Sequence, residues 1–230
     1  MAKDIAVASE RLEVAVQAPL IDSAGVRTDF TVRRWDEEQV AYARRLIRES
    51  QQFDPNIELT EQIFRHLRIA PYSVSEDYDC NLVVQNGWVA LLGGVAGTTM
   101  SPKFGAANGR IGVGTSATAA AYAQTTLQGD TGAASTTSYF KLVSGAPTIS
   151  TGTSPPTLVF TAAFGGAVAN FAWAEFGTDA GTADSVSNAT TGGTFFNRGV
   201  SAQGTKAGGQ VWTATETIQF GFPSGSGTVS

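Results

Sequence analysis

The sequence predicts a mainly β fold, with an antiparallel β-sandwich or jelly-roll-like domain at residues 81–230 after an α+β arm with two short helices at residues 1–80. Charge marks the boundary, because the first 80 residues hold 25 of the 35 charged side chains in the 230-residue chain. Glycine shows the opposite distribution, since 25 of the 26 glycines follow residue 80. Beyond that point, short apolar runs alternate with Gly, Thr, Ser, Asn and Pro, which is typical of strands joined by turns.

The chain begins with two extended segments. Apolar side chains at Leu12, Val14 and Val16 recur at every second position, which predicts a strand with one apolar face. The residues of Asp22–Gly25 favour a turn, and Val26–Val32 is the second extended segment. We therefore expect a strand pair at the start of the arm.

Two amphipathic helices follow the strand pair. Asp36 and Gln39 have the spacing of a capping box, which predicts the start of a helix that ends before Pro55. A shorter helix is predicted over Thr60–Ile69. Both helices carry an apolar stripe that needs a partner surface, which is the C-terminal domain, another copy of the chain or a different protein. We interpret residues 1–80 as an arm that docks the chain on a larger assembly.

Residues 81–230 contain eight candidate strands. Apolar and polar side chains alternate along the last of them, and Glu216 falls on its apolar face, so we expect either a bulge there or a solvent-exposed end. Trp173 and Trp212 are assigned to the core. The eight segments are Leu82–Gln85, Val89–Val95, Arg110–Gly114, Tyr139–Val143, Leu158–Phe164, Phe171–Phe176, Thr194–Arg198 and Val211–Phe220.

The composition excludes several classes of protein. Residues 81–230 hold only five basic and five acidic side chains and the first 80 residues are acidic, which does not suit nucleic-acid binding. Cys80 is the single cysteine of the sequence, which excludes a disulfide framework and a multi-cysteine metal site. The N-terminus lacks the layout of a signal peptide, and Trp88–Val95 is far shorter than the roughly 20 residues of a spanning helix. We expect a soluble chain that binds neither nucleic acid nor membranes.

The candidate chemical motifs do not combine into a catalytic or cofactor site. Gly112–Ala117 matches the Gly-x-Gly-x-x-Ala form of a dinucleotide fingerprint, but the following acidic residue lies in a turn composition and no β-α rhythm follows. His66 is the single histidine and is expected at the surface or an interface. The carboxylates after residue 80 lack the further polar groups of a glycosidase cleft. They are Asp130, Glu175, Asp179, Asp184 and Glu216. We predict no catalytic residue, no cofactor and no metal.

Five stretches after residue 80 carry a family resemblance in their order and spacing. They are Asn81–Gly87, Asn108–Ser116, Thr126–Gly129, Ala169–Gly177, and Gly204–Lys206 followed by Val211–Thr215. Together they resemble a group of virion structural proteins of tailed bacteriophages, which are described as minor tail, appendage or decoration proteins. The resemblance covers about residues 81–222 and no part of residues 1–80. It implies a non-enzymatic, multimeric β domain in a virus particle, and it supplies no catalytic residues.

These observations lead to two main hypotheses about function. In the first, the chain is a structural component of the virion that assembles with copies of itself and docks on other virion proteins, in the capsid, neck or tail, through residues 1–80. An almost uncharged sheet surface favours this hypothesis, because such a surface would aggregate if it were left free. In the second, the chain is a receptor- or glycan-binding sandwich carried on the virion, with the polar loop Thr178–Gly193 as its binding segment. A hydrolase that uses two of the five carboxylates is a third hypothesis.

Overall fold

The computed structural model describes residues 26–78, 81–97, 104–150, 156–188 and 194–220. The strands are β1 (Val26–Trp35), β2 (Ser73–Asp77), β3 (Asn81–Val83), β4 (Gly109–Gly114), β5 (Ser138–Leu142), β6 (Thr148–Ser150), β7 (Thr157–Phe164), β8 (Ala172–Ala180), β9 (Thr194–Thr205) and β10 (Val211–Phe220). The helices are α1 (Glu37–Ser50), α2 (Glu61–His66) and α3 (Gln85–Val95). Two five-stranded antiparallel sheets form a sandwich-like arrangement, so the prediction of a mainly β fold is confirmed. Sheet A has the order β2-β1-β10-β7-β6, and sheet B has the order β3-β9-β8-β4-β5.

The core lies between the two sheets and is rich in aromatic rings. Phe30 of β1 in sheet A contacts Phe176 of β8 in sheet B, with ring centroids 5.0 Å apart. Trp173 of β8 meets Trp212 of β10 edge to face at 4.9 Å and also packs on Phe164 of β7. Both tryptophans are buried in this core, as the sequence predicts. Edge-to-face contacts between large rings stabilise the contact between the sheets beyond simple area burial.

Strand β1 belongs to the sandwich although it comes from the charged first part of the chain. It pairs along its whole length with β10, from Val26 opposite Phe220 to Trp35 opposite Val211, and β2 occupies its other edge. The change of composition near residue 80 is therefore not a boundary within sheet A. The predicted strand over residues 12–16 lies outside the described residues, and β1 offers no free edge for the expected strand pair.

Helices α1 and α2 pack against sheet A where the end of β1 lies beside the start of β10. The Asp36 carboxylate accepts a hydrogen bond from the Gln39 N–H at 2.8 Å, and the Gln39 side chain accepts one from the Asp36 N–H, so the predicted capping box is confirmed. Phe64 of α2 stacks on Trp35 of β1 with ring centroids 4.3 Å apart, and Val211 of β10 belongs to the same apolar cluster. The partner surface of both helices is therefore sheet A of the same chain.

The predicted strand over Val89–Val95 is wrong, because this stretch lies in α3. An apolar run without alternation fits a buried strand and a helix equally well. Gly87 brings α3 so close to β9 that a Cβ atom at this position would lie 2.0 Å from the Phe196 carbonyl oxygen. The predicted strand Leu82–Gln85 ends at Val83, because α3 starts soon afterwards. Among the described residues, no helix has the length and apolar character needed to cross a membrane.

Candidate functional site

The charged side chains that follow residue 80 lie mostly inside the protein. Nine of the ten fall within the described residues, and six of these nine are buried. A buried charge needs a partner, because desolvation is costly unless the group is paired or hydrogen-bonded. The six side chains are Arg110, Glu175, Asp179, Arg198, Lys206 and Glu216. Buried ionisable groups are also where unusual chemistry is expected, so each was a candidate for function.

Glu175 on β8 anchors the long connection between β4 and β5. Its carboxylate accepts hydrogen bonds from the N–H groups of Gln128 and Gly129, at 2.8 and 2.6 Å, and from the N–H of Ser116 at 3.2 Å. Arg198 on β9 donates to it through Nε at 2.7 Å, and neither side chain of this ion pair is exposed to solvent. A carboxylate with four donors and no exposed surface serves as a structural anchor rather than as a general acid or base.

Arg110 on β4 and Asp179 on β8 form a second buried ion pair. The guanidinium donates to both carboxylate oxygens, with Nε 2.8 Å from Oδ1, and Nη1 donates to the Ala183 carbonyl at 2.8 Å. Burial raises the pKa of Asp179 to about 6, and the Arg110 guanidinium opposes this rise. Asp179 and Asn188 of the predicted binding loop Thr178–Gly193 are both buried. Thr182, Ala183 and Asp184 of the same loop are exposed, so within its described part only this short segment presents exposed side chains to a ligand.

Glu216 on β10 points between the sheets and has no basic partner among the described residues. The side-chain amide of Asn197 on β9 donates to Oε1, and the amide of Asn81 on β3 donates to the same oxygen at 3.3 Å. Burial raises the pKa of Glu216 to about 8, so the carboxyl group is largely neutral at pH 7. Strand β10 pairs regularly with β1 and β7 at this position, opposite Phe30 and Phe160. Both expectations for Glu216, a bulge and an exposed end, are therefore wrong.

Lys206 completes the set of buried charges. Its ammonium group donates to the Gly165 and Val168 carbonyls, at 2.8 and 3.0 Å, and to Asn170 Oδ1 at 2.7 Å. Burial lowers the pKa of Lys206 to about 8. The side chain ties the end of β9 to the turn between β7 and β8, which is again a structural role.

The remaining sequence candidates are dispersed over the surface and the turns. Gly112–Ala117 runs from β4 into a described connection that contains no helix, so the dinucleotide fingerprint lacks its helix N-terminus. Asp130 accepts a hydrogen bond from the Gly132 N–H at 3.0 Å in a turn. His66 is exposed and meets the Phe53 ring edge to face at 5.1 Å. In the part of the chain that the structure describes, no group of three His, Cys, Asp or Glu side chains could hold a metal ion.

An apolar surface lies exposed along α3. Val89, Leu92 and Val95 lie on one side of this helix and are 63%, 65% and 89% exposed, and α3 contains no charged residue. An apolar cleft of about 180 Å³, lined by Phe104 and Phe220 among others, opens beside it between α3 and strands β7, β9 and β10. We call the three exposed side chains and this cleft the α3 surface. Exposed apolar patches of this kind mark interaction sites more often than free surface.

The sequence carries a signal for the α3 surface that the strand prediction missed. Trp88–Val95 is apolar and uncharged, but its apolar residues occupy consecutive positions instead of every second one. A helix with such a sequence is apolar on all sides, so one side remains exposed when the other packs against the sandwich.

Comparison of the chain with protein-family models, with curated proteins and with solved structures found no match. The α3 surface is the candidate functional site, because it is apolar, exposed and uncharged.

Proposed function

We propose that the protein is a structural component of a tailed-phage virion, which assembles with copies of itself and docks on other virion proteins through its N-terminal part. The α3 surface carries the self-assembly part of this proposal, because a protein that stays monomeric rarely exposes an apolar helix face beside an apolar cleft. The resemblance of five stretches after residue 80 to virion structural proteins of tailed phages supports the virion part.

A second copy of the chain is the occupant of the α3 surface that the charge distribution favours. The net charge of −5 belongs to the first 80 residues, because the charged residues after residue 80 balance at five of each sign. Two copies that meet through α3 bring no charged α3 side chains together, so like-charge repulsion does not oppose the contact. Val89, Leu92 and Val95 of one copy would pack against the same residues of the other about a twofold axis.

The N-terminal part offers a different kind of surface for docking on the particle. Helix α1 exposes charged side chains, including Glu38, Arg45, Arg48 and Glu49, and residues 1–25 precede β1. Strands β1 and β2 are integral to sheet A, so a deletion of residues 1–80 would remove two strands of the sandwich. A deletion that tests docking without disrupting the fold must therefore end before Val26.

Mass spectrometry of purified phage particles tests this proposal. We expect the chain to be present, with many copies if it decorates the capsid and few if it belongs to the neck or tail. Particles assembled with Leu92→Glu should contain less of the protein, whereas Ile149→Glu, which changes an equally exposed apolar residue on β6, should leave its amount unchanged. Absence of the chain from particles that carry its gene would contradict the virion role.

A further inference from the structure

A positively charged pocket of about 340 Å³ lies on the outer face of sheet A, beside α2 and the connection from α2 to β2. Three arginines line it, Arg33 of β1, Arg65 of α2 and Arg68 just after α2, together with the carboxylate of Glu61. We propose that this pocket binds the phosphate group of a phosphorylated sugar or polyol. The proposal goes beyond self-assembly and depends on none of the residues of the α3 surface.

The pocket has an excess of positive charge. Arg33 and Arg65 both pair with Glu61, with N–O distances of 3.3 and 2.6 Å, so a single carboxylate is shared by two guanidinium groups. Arg68 is exposed, and its guanidinium forms no ion pair or hydrogen bond with any described residue. Three guanidinium groups and one carboxylate leave two positive charges around the pocket.

Arg68 directly follows the C-cap of α2 and lines the pocket. Helix α2 ends at His66 with Leu67 as its C-cap, and Arg68 follows with a φ angle of 58°, in the left-handed region. Glycine is the usual residue at this position after a helix, because it adopts this conformation without strain. This backbone conformation is stabilised by the two hydrogen bonds that close the helix, from the Arg68 N–H to the Arg65 carbonyl at 3.1 Å and from the Ile69 N–H to the Phe64 carbonyl at 2.9 Å, while the Arg68 side chain lines the pocket. No described side chain pairs with the Arg68 guanidinium, which leaves this group available to a ligand in the pocket.

The charge and shape of the pocket favour a phosphate group over a carboxylate. A phosphate monoester carries about −1.5 to −2 charges at neutral pH, which matches the two excess positive charges, whereas a carboxylate neutralises only one of them. Guanidinium groups bind phosphate through paired N–H···O bonds, and three of them can approach its oxygens from different sides. The volume also lies within the range of small-ligand pockets, which begins near about 300 Å³.

An adjoining hollow accounts for the rest of the ligand. This hollow, of about 250 Å³, shares Glu61 and Arg65 with the arginine pocket. Hydroxyl and amide groups also line this hollow, from Thr60, Gln62, Ser144, Thr148 and Thr161. Such groups donate and accept hydrogen bonds in the way that sugar or polyol hydroxyls require. A phosphate in the arginine pocket would therefore place its hydroxylated carrier in the adjoining hollow.

Isothermal titration calorimetry of the full chain at constant ionic strength tests this assignment with four probes, which are glucose 6-phosphate, inorganic phosphate, glucose and acetate. We expect saturable binding of both phosphates, tighter for glucose 6-phosphate, and no saturable binding of glucose or acetate in the same concentration range. Equal affinity for the two phosphates would overturn the assignment of the adjoining hollow. No saturable binding of either phosphate, or acetate binding as tight as phosphate binding, would overturn the phosphate site.

Arg68→Gly is the most informative variant, because glycine relieves the left-handed backbone while it removes the guanidinium. We expect its unfolding midpoint in urea to equal or exceed that of the wild type, while its affinity for inorganic phosphate falls about tenfold, the loss of one charge-assisted contact. Arg45→Gln is the matched control, since it removes one exposed positive charge from α1 away from the pocket. An unchanged affinity in Arg68→Gly, or an equal loss in Arg45→Gln, would overturn the proposal.

Discussion

The two parts of the chain use their charged residues in opposite ways. Residues 26–78 contain 18 charged side chains, of which one, Arg34, is buried. The described residues between 81 and 220 contain nine, and six of them are buried. Charged side chains in the first part lie mostly at the surface, in contact with water. Those in the second part are mostly buried, where they hold the connections between strands against the core. The net charge of −5 is therefore not spread evenly over the chain. The first part has a charged surface, and the second part has a nearly uncharged one.

This difference shows that a low content of charge does not mean a lack of electrostatic structure. The pairs Arg198–Glu175 and Arg110–Asp179 lie in sheet B without exposure to solvent, where they hold the connections at the ends of β4 and β8. Because these charges are internal, they contribute nothing to the solubility of the surface outside them. The α3 surface lies in this part of the chain, so few surface charges near it oppose the association of two copies by electrostatic repulsion.

The largest expected effect comes from Glu175→Gln, which breaks a buried pair of the second part. Arg198 would keep its buried positive charge without a carboxylate, and the loss of one partner of such a pair costs about 3–5 kcal/mol. Urea denaturation at pH 7 measures the free energy of unfolding. The matched variant of the first part is Glu49→Gln, which breaks the Arg45–Glu49 pair, whose side chains are 61% and 64% exposed. It should cost less than about 0.5 kcal/mol, and equal losses in the two variants would refute the contrast between the parts.

Two glycines of α3 test how this helix is held against sheet B. Gly87→Ala places a Cβ atom 2.0 Å from the Phe196 carbonyl oxygen, so α3 must shift, at a cost of about 1–3 kcal/mol. Gly94→Ala meets no atom within 4 Å and should stabilise the protein by up to about 1 kcal/mol through its higher helix propensity. Thermal unfolding of both variants checks the opposite signs. Equal effects would mean that α3 does not pack on β9 as described.

An effect that depends on pH is expected at Glu216. Its pKa is about 8 in the folded protein, against an ordinary value of 4.5, so the folded state binds the extra proton between these values. Stability should therefore fall as pH rises through this range, by about 1.4 kcal/mol per pH unit at most. The titration of Glu216 is best measured between pH 6 and 8. Asp179, with a pKa of about 6, contributes mainly below this window, and Lys206, with a pKa of about 8, contributes mainly above it.

Glu216→Gln separates this titration from the others. The amide is neutral and similar in size to the protonated carboxyl group, so the variant should lose the decline in stability between pH 6 and 8. We expect it to be more stable than the wild type at pH 8. Urea midpoints at several pH values provide the measurement, and parallel pH profiles of the two proteins would show that Glu216 does not titrate in this window.

Local patterns predicted those elements whose signals lie close together in the sequence. The capping box of Asp36 and Gln39 spans four residues, and it forms as expected. Alternation of apolar residues located β7 and β10, because each strand has one face in the core. Strand β2 (Ser73–Asp77) has a polar sequence without an apolar face and is held by its pairing with β1. Its own residues therefore do not predict a strand.

The buried polar contacts could not be predicted, since their partners lie far apart in the chain. Glu216 receives hydrogen bonds from Asn197 and Asn81, which are 19 and 135 residues away. The alternation pattern located Glu216 on the inner face of β10, but it does not indicate which groups donate hydrogen bonds to its carboxyl group there. The need for glycine at position 114 also depends on a distant residue. A Cβ atom there would lie 2.4 Å from Oε1 of Glu175, which is 61 positions later in the sequence. The sequence did not predict the α3 surface. A continuous run of apolar residues does not show whether all sides of a helix are buried or one side stays exposed.

Sedimentation velocity of the full chain, across about a hundredfold range of concentration, tests most directly the claim that copies associate through the α3 surface. We expect the wild type to show concentration-dependent association, Leu92→Glu to sediment as a monomer, and Ile149→Glu to associate like the wild type. Leu92 is exposed, so unchanged circular dichroism should show that its variant still folds. A wild type that is monomeric at every concentration, or a Leu92→Glu variant that associates as strongly as the wild type, would contradict the account.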